Sequence, residues 1–344
     1  MRAVIIHAPR DLRVETVTVP EAGAGDVRVR IGAGGICGSD LHYYQHGGFG
    51  AVRIKEPMIL GHEIAGTVES VGAAVTRVAP GDRVAVNPSR PCGYCRYCLE
   101  GKANQCLDMR FFGSAMRFPH VQGAFREVLV APASQMVRLD PSVPLAEAAF
   151  AEPLAVCLHA ANRAGPLLGR RVLVTGCGPI GVLSVIAARR AGAAEIVATD
   201  VADAPLAIAR AVGADRALNI ASEPDALGPY GADKGTFDVL IEASGNERAL
   251  VGALDALRPQ SIVVQVGLGG EFKIPINTIV VKEIEVRGAF RFYKEFELAA
   301  ELIAKRLVDV RPLLTATLPL ERAVEAFELA SDRSRAMKVQ LAFT

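Results

Sequence analysis

A glycine-rich turn, Gly176-Cys177-Gly178-Pro179-Ile180-Gly181, constrains the fold of this chain more than any other feature. It follows an apolar β-branched run at residues 171–175 and opens an apolar helical run at 180–191, so the glycines stand where a strand turns into a helix. The first glycine permits the tight turn, the second lets a pyrophosphate approach the backbone, and the third lets helix pack on strand. Free N–H groups and the positive dipole end of the helix then face the phosphates. Asp200 follows the next apolar run, about twenty residues on, where a carboxylate accepts hydrogen bonds from the adenosine ribose. It would repel a 2′-phosphate, and Val201-Ala202-Asp203 supplies no base, so NAD is preferred over NADP. The plainer alternative, a glycine turn in an α/β domain that binds no nucleotide, is disfavoured by this strand-and-helix context.

The rest of the chain divides around this motif. From about Gly169 onward, apolar strands (195–199, 237–243, 261–266, 284–289) alternate with helical runs (205–212, 247–257, 295–306), the βαβ pattern of a doubly wound parallel sheet. Before it, short β-branched runs at 3–7, 12–19, 27–31, 64–71 and 83–86 are punctuated by Gly and Pro, which predicts a β-rich first domain. A length of 344 residues suits two domains at roughly 150 each. Lys plus Arg (38) nearly cancels Asp plus Glu (37), which argues against a polybasic nucleic-acid or membrane-surface binder. The uncharged stretch between Arg171 and Arg189 is too short and glycine-rich for the roughly 20 apolar residues of a membrane span. No secretory apolar core follows Met1, so a soluble, cytoplasmic protein is expected.

Four of the seven cysteines cluster as Cys92, Cys95, Cys98 and Cys106. Four thiolates in one short loop can close a tetrahedral zinc shell with no open position, the signature of a structural site. An iron–sulfur cluster also takes four cysteines, but Leu107 stands where a Pro usually follows the last of them. A nucleic-acid-binding zinc ribbon fits poorly with a near-neutral chain.

Three further polar elements interrupt apolar sequence: Cys37-Gly38-Ser39-Asp40-Leu41-His42, Gly61-His62-Glu63, and Glu152 in Ala151-Glu152-Pro153. Cys, His and Glu are all zinc ligands, and a catalytic zinc takes three of them plus an exchangeable position. Each also has a bland reading, as a small buried hydrophobe, a satisfied core histidine or a helix-start carboxylate. Spacing alone leaves both open.

Gly61-His62-Glu63-x2-Gly66-x5-Gly72-x2-Val75 resembles the zinc signature of the medium-chain alcohol and polyol dehydrogenases, and the four-cysteine lobe, the glycine turn and the domain order resemble that family along essentially the whole chain. The resemblance implies an α/β protein: a GroES-like, β-rich catalytic domain (1–153, completed by 291–344) and a Rossmann NAD-binding domain (154–290). It implies two zinc ions per chain and identifies Cys37, His62 and Glu152 as the catalytic metal ligands, with Glu152 where classical members carry a second cysteine. Glu63 is then a carboxylate able to approach the metal, and Asp40 a partner orienting His62. Ser39 and His42 are implied as the relay that carries the substrate proton to solvent. Val266 and Leu268 join Gly176, Gly178, Pro179, Ile180, Gly181 and Asp200 as implied cofactor contacts. A homodimer or homotetramer is expected on the same grounds.

The implied substrate is a small sugar acid or polyol. The stretch from Asp108-Met109-Arg110-Phe111-Phe112 through Arg117-Phe118-Pro119-His120 resembles those members that oxidise the C5 hydroxyl of a sugar acid, and differs from those acting on neutral polyols such as sorbitol or xylitol. A carboxylate calls for an arginine fork. Arg110, Arg117 and Arg291 are the candidates, and Tyr44 is a candidate for lining the pocket. A non-catalytic nucleotide-binding protein carrying only the structural zinc is the rival from another class. Asp200→Ala is expected to raise the KM for NAD more than that for NADP; an unchanged preference in steady-state kinetics would misplace the ribose contact.

Overall fold

The computed structural model describes residues 1–343. The chain forms two compact units: Met1–Glu152 together with the chain from Phe296 onward, and Pro153–Glu295.

In the second unit six strands form one parallel sheet, in the order Arg216–Asn219, Glu195–Asp200, Arg171–Thr175, Phe237–Glu242, Leu257–Gln265, Glu285–Gly288. The strands are continuous apolar runs because both faces are covered, with Val172, Leu173, Val174, Val197, Leu240 and Val263 all buried. The order reverses between Arg171–Thr175 and Phe237–Glu242, and in such sheets ligands bind outside the carboxyl ends of the strands at that point. Helix Pro179–Arg190 begins one turn after the first of these strands. The helical reading of 247–257 is corrected here. The helix stops at Ala253, a 3₁₀ turn covers Leu254–Ala256, and the next strand already starts at Leu257. Pro259 accounts for this, since it disfavours helical backbone at Arg258 and offers no N–H. A helix at Ile276–Lys282 also forms where no periodic signal announced one.

In the first unit a seven-stranded sheet runs Met136–Leu139, Arg83–Val86, Glu63–Val71, Asp26–Gly35, Lys338–Ala342, Leu314–Pro319, with Val128–Pro132 pairing the start of Asp26–Gly35. The alternation of buried and partly exposed residues along Asp26–Gly35 matches one face packed and one wet. The strand at 338–342 lies in the tail that sequence patterning left undefined. Its register, Gln340 opposite Gly35, carried two residues further sets Lys338 opposite Cys37. The core gathers Val29, Ile31, Leu60, Ile64, Val84, Phe125, Phe327 and Leu341.

Gly61 has φ +91°, and a Cβ there would stand 2.1 Å from the buried Phe125 ring. Gly61→Ala should therefore cost about 3 kcal/mol through left-handed strain and overpacking. A urea midpoint equal to wild type would contradict this.

Candidate active site and metal centres

Cys37 caps the helix Gly38–His46, and the side chain of Asp40, at the third helical position, accepts from the Cys37 N–H at 3.0 Å. The other Asp40 oxygen accepts from the Gly61 N–H at 3.2 Å, so one fully buried carboxylate ties the two ligand-bearing segments together. Asp40 was expected to orient His62 directly. The two groups stand 3.8 Å apart, beyond hydrogen-bond reach but close enough to interact electrostatically, while the hydrogen bonds of Asp40 go to the backbones that carry the ligands.

The ligand atoms of Cys37, His62 and Glu63 lie within 4.8 Å of one another. Glu152, expected as the third ligand, stands outside this set, although it opens the helix Ala151–Ala164 and interacts electrostatically with Cys37, His62 and Glu63. Burial, with Glu63 nearby, pushes the Cys37 thiol up to about 12, and burial raises Glu152 to about 8. Burial therefore favours the protonated forms of Cys37 and Glu152, and a cation held there would displace those protons. His62 Nδ1 is itself buried without a hydrogen-bond partner. This donor set fits a zinc ion.

Sequence reasoning missed Lys338. Its ammonium, 3% exposed, donates to the Ile36 carbonyl at 3.0 Å and to Glu63 Oε1 at 2.7 Å. Burial alone would depress its pKa, but Glu63, Cys37 and Glu152 together raise it, so it remains a cation. The available signal was a single lysine at the head of the apolar run Val339–Phe343, and local sequence gives it no partner.

The four lobe cysteines also converge. Sulfur separations are 3.5 Å for Cys95–Cys98 and 4.0 Å for both Cys92–Cys98 and Cys95–Cys106. Four sulfurs at about 2.3 Å from a tetrahedral zinc would be roughly 3.8 Å apart, so the geometry fits. Backbone N–H groups of Cys92, Cys95 and Asp108 point at these sulfurs at 3.2–3.4 Å, as thiolates require. Such donors, from around Leu107 and Cys98, hold Cys95 down to about 6. Cys157 and Cys177 are buried and stand apart from both clusters.

Ser39 hydrogen-bonds Cys37, and His42 lies one turn along the same helix face, exposed, with its pKa lowered by partial burial and by His46. Tyr44, a candidate for lining the pocket, is committed to the core. It is 2% exposed, packs on Phe327 at 5.5 Å and donates its hydroxyl to Glu328, because it lies on the core-facing side of the helix. Arg117 is likewise committed: it donates to the Leu107 and Met109 carbonyls at 2.9 Å and pairs with Asp108 at 2.6 Å, bracing the exit of the cysteine lobe. Arg110 is exposed and precedes Phe111, whose ring lies 5.4 Å from that of His62. Arg291, in the second unit, has φ +56° and lies over the Phe290 ring at 4.9 Å.

In the second unit the glycine turn has the shape its residues require. Gly176 has φ +84°, and a Cβ on Gly181 would stand 1.7 Å from the Gly176 carbonyl. A Cβ on Gly178 would meet nothing within 4 Å, leaving the open side over which a pyrophosphate fits. Pro179 occupies the first helical position, where its missing N–H costs nothing, and Ile180 follows. Asp200 accepts from the N–H groups of Cys177 at 2.7 Å and Val201 at 2.7 Å, so it also fastens the turn to its neighbouring strand. Val266 donates its N–H to the Glu242 carbonyl at 2.9 Å, and Leu268 is exposed.

Residues 23–141 match the alcohol dehydrogenase GroES-like domain, and residues 179–305 match the zinc-binding dehydrogenase family. The chain belongs to the zinc-binding, NAD(P)-dependent dehydrogenases, and it is an oxidoreductase. It is 46% identical to L-idonate 5-dehydrogenase (NAD(P)(+)) of Escherichia coli, over 92% of this chain and 91% of that one. It is 38% identical to sorbitol dehydrogenase of Gallus gallus, over 98% and 95%. The crystal structure of the Escherichia coli L-idonate 5-dehydrogenase superposes with a TM-score of 0.94 at 43% identity, covering 99% of this chain and 97% of that one. Among the described residues, no helix is long and apolar enough to cross a membrane.

Lys338→Met strands the Glu63 carboxylate in the interior and should destabilise the metal-free protein by about 3–5 kcal/mol. Adding Glu63→Gln removes the orphaned charge and should restore much of that loss. If chemical denaturation shows the double variant no more stable than Lys338→Met, the pair does not act as a unit.

Proposed function

We propose that this protein is an NAD-dependent zinc dehydrogenase that oxidises the C5 hydroxyl of L-idonate, and reduces 5-ketogluconate in the reverse direction. The observation that carries the reading is the convergence of Cys37, His62 and Glu63 on one buried point, in a chain resembling the idonate enzyme over nearly its whole length. Cys37, His62 and a carboxylate, Glu63 or Glu152, hold the catalytic metal. Cys92, Cys95, Cys98 and Cys106 hold a second, structural one.

Bound zinc supplies a Lewis acid, and NAD the hydride acceptor. The chain contributes the proton path and the orientation. Ser39 takes the hydroxyl proton, and His42, one helical turn toward solvent, passes it on, a task suited to an imidazole, which can both accept and donate a proton. With Arg117 spent on Asp108 and the lobe carbonyls, Arg110, beside Phe111, is the arginine proposed for the substrate carboxylate.

Asp200 and the uncharged residues after it favour NAD. A cytoplasmic setting suits seven cysteines that form no disulfide. A homo-oligomer suits the exposed Ile276, Val280, Val281 and Val286, which lie on and before the edge strand Glu285–Gly288.

Initial rates of NAD reduction with L-idonate, sorbitol and xylitol test the substrate. Idonate should be preferred by at least about tenfold, the scale of one charge-assisted contact. A preference for a neutral polyol would keep the chemistry and discard the carboxylate contact. Elemental analysis should find two zinc ions per chain. Cys37→Ser should abolish turnover with the fold retained, whereas Cys95→Ser should lower stability, since structural zinc contributes folding energy. One zinc per chain, or identical behaviour of the two variants, would collapse the two-site assignment.

A further inference from the structure

A second buried carboxylate, Glu242, has no part in the metal centres. It is the last residue of the strand Phe237–Glu242 and is fully buried. The sheet register aligns it with Thr175 on one side and Gln265 on the other, so it stands at the carboxyl edge where the strand order reverses. One oxygen accepts from the Ser244 N–H at 2.8 Å and from the Ser244 hydroxyl, with Thr175 Oγ1 at 3.5 Å. The other accepts from the Gly245 N–H at 3.1 Å and from Gln265 Nε2 at 2.5 Å. Its backbone carbonyl accepts from Val266 and Gly267, both at 2.9 Å. Among the described residues no Lys, Arg or His pairs with it.

The segments it fastens touch closely. A Cβ on Gly176 would stand 2.7 Å from Ser244, one on Gly267 would stand 2.1 Å from the Gly245 nitrogen, and one on Gly269 would stand 1.7 Å from the Gly245 carbonyl. Glu242 thus binds the glycine turn, the 244–245 turn and the 266–269 segment into a single rim. In a dinucleotide-binding sheet the pyrophosphate lies on the glycine turn and the adenosine ribose beside Asp200. The nicotinamide half therefore extends the opposite way, over the ends of Phe237–Glu242 and Leu257–Gln265. A carboxylate satisfied only by neutral donors keeps its negative field uncancelled there, and low local polarity strengthens that field.

We propose that Glu242 is a positioning residue that shapes the nicotinamide side of the cofactor rim and whose field favours the oxidised, cationic ring over the neutral reduced one. The inference rests on the dinucleotide site proposed above. Gln265→Lys places an ammonium against Glu242, cancelling the field while keeping a donor to the carboxylate. Glu242→Gln removes the charge itself. Dissociation constants for NAD and NADH are measured separately by calorimetry and by nucleotide fluorescence, with thermal melting to confirm folding. The ratio of the two constants should move about tenfold against NAD in either variant. Gln265→Met, which loosens the rim without changing charge, should weaken both nucleotides equally. A folded Gln265→Lys protein with the wild-type ratio overturns the proposal and leaves Glu242 a loop brace, and so does a ratio shifted as much by Gln265→Met. Failure of the wild-type protein to bind either nucleotide would instead overturn the dinucleotide site on which it rests.

Discussion

The metal centre proposed for the first unit rests on one electrostatic constraint: several acidic groups crowd together with too little positive charge to satisfy them. Cys37, Glu63 and Glu152 are all withdrawn from bulk water by the surrounding sheet, and Lys338 supplies a single compensating cation. Burial favours the neutral form of an acid, which is why the Cys37 thiol and the Glu152 carboxyl are raised there. A divalent cation held by these residues would offset the remaining imbalance and oppose those shifts.

Backbone placement makes that crowding possible. Asp40 receives N–H groups from both Cys37 and Gly61, so the cap of one helix and the approach to one strand cannot drift apart. Gly35 lies opposite Glu63, where a Cβ would come within 2.2 Å of the Glu63 carboxylate. The C-terminal strand closes the arrangement by bringing Lys338 across from Cys37. Chain from three distant parts of the sequence converges on a volume only a few ångströms wide, and each part is fixed by sheet register.

What the sequence revealed follows from how local each determinant is. The glycine turn and the lobe cysteines are each encoded within a short contiguous stretch, and the parallel-sheet rhythm repeats in successive strand–helix units, so all three were legible. The roles of Tyr44 and Arg117 were not, because a helix face and a pair of backbone carbonyls decide them, and neither shows in residue type. Lys338 was the most serious omission. Its meaning rests on a strand pairing some 300 positions away from Ile36, and the tail carrying it has no periodic signal of its own. Glu63 groups with Cys37 and His62 for a related reason: distances depend on how sheet and helix meet, which residue type does not show.

Two buried carboxylates now contrast within one chain. Glu63 is answered by an ammonium and so presents little net field beyond its immediate neighbours. Glu242 is answered by hydroxyl, amide and backbone donors, which satisfy its hydrogen bonds without cancelling its charge. The difference suits the chemistry on each side. At the proposed metal centre, the Lys338 ammonium offsets the Glu63 charge, so that carboxylate would weigh less on a bound ion. At the cofactor rim, residual negative potential lowers the energy of a cationic ring and sets the balance between its two redox forms. A dehydrogenase that works in both directions needs those energies to be close, and the pairing of each carboxylate is the means by which this sequence can adjust them independently.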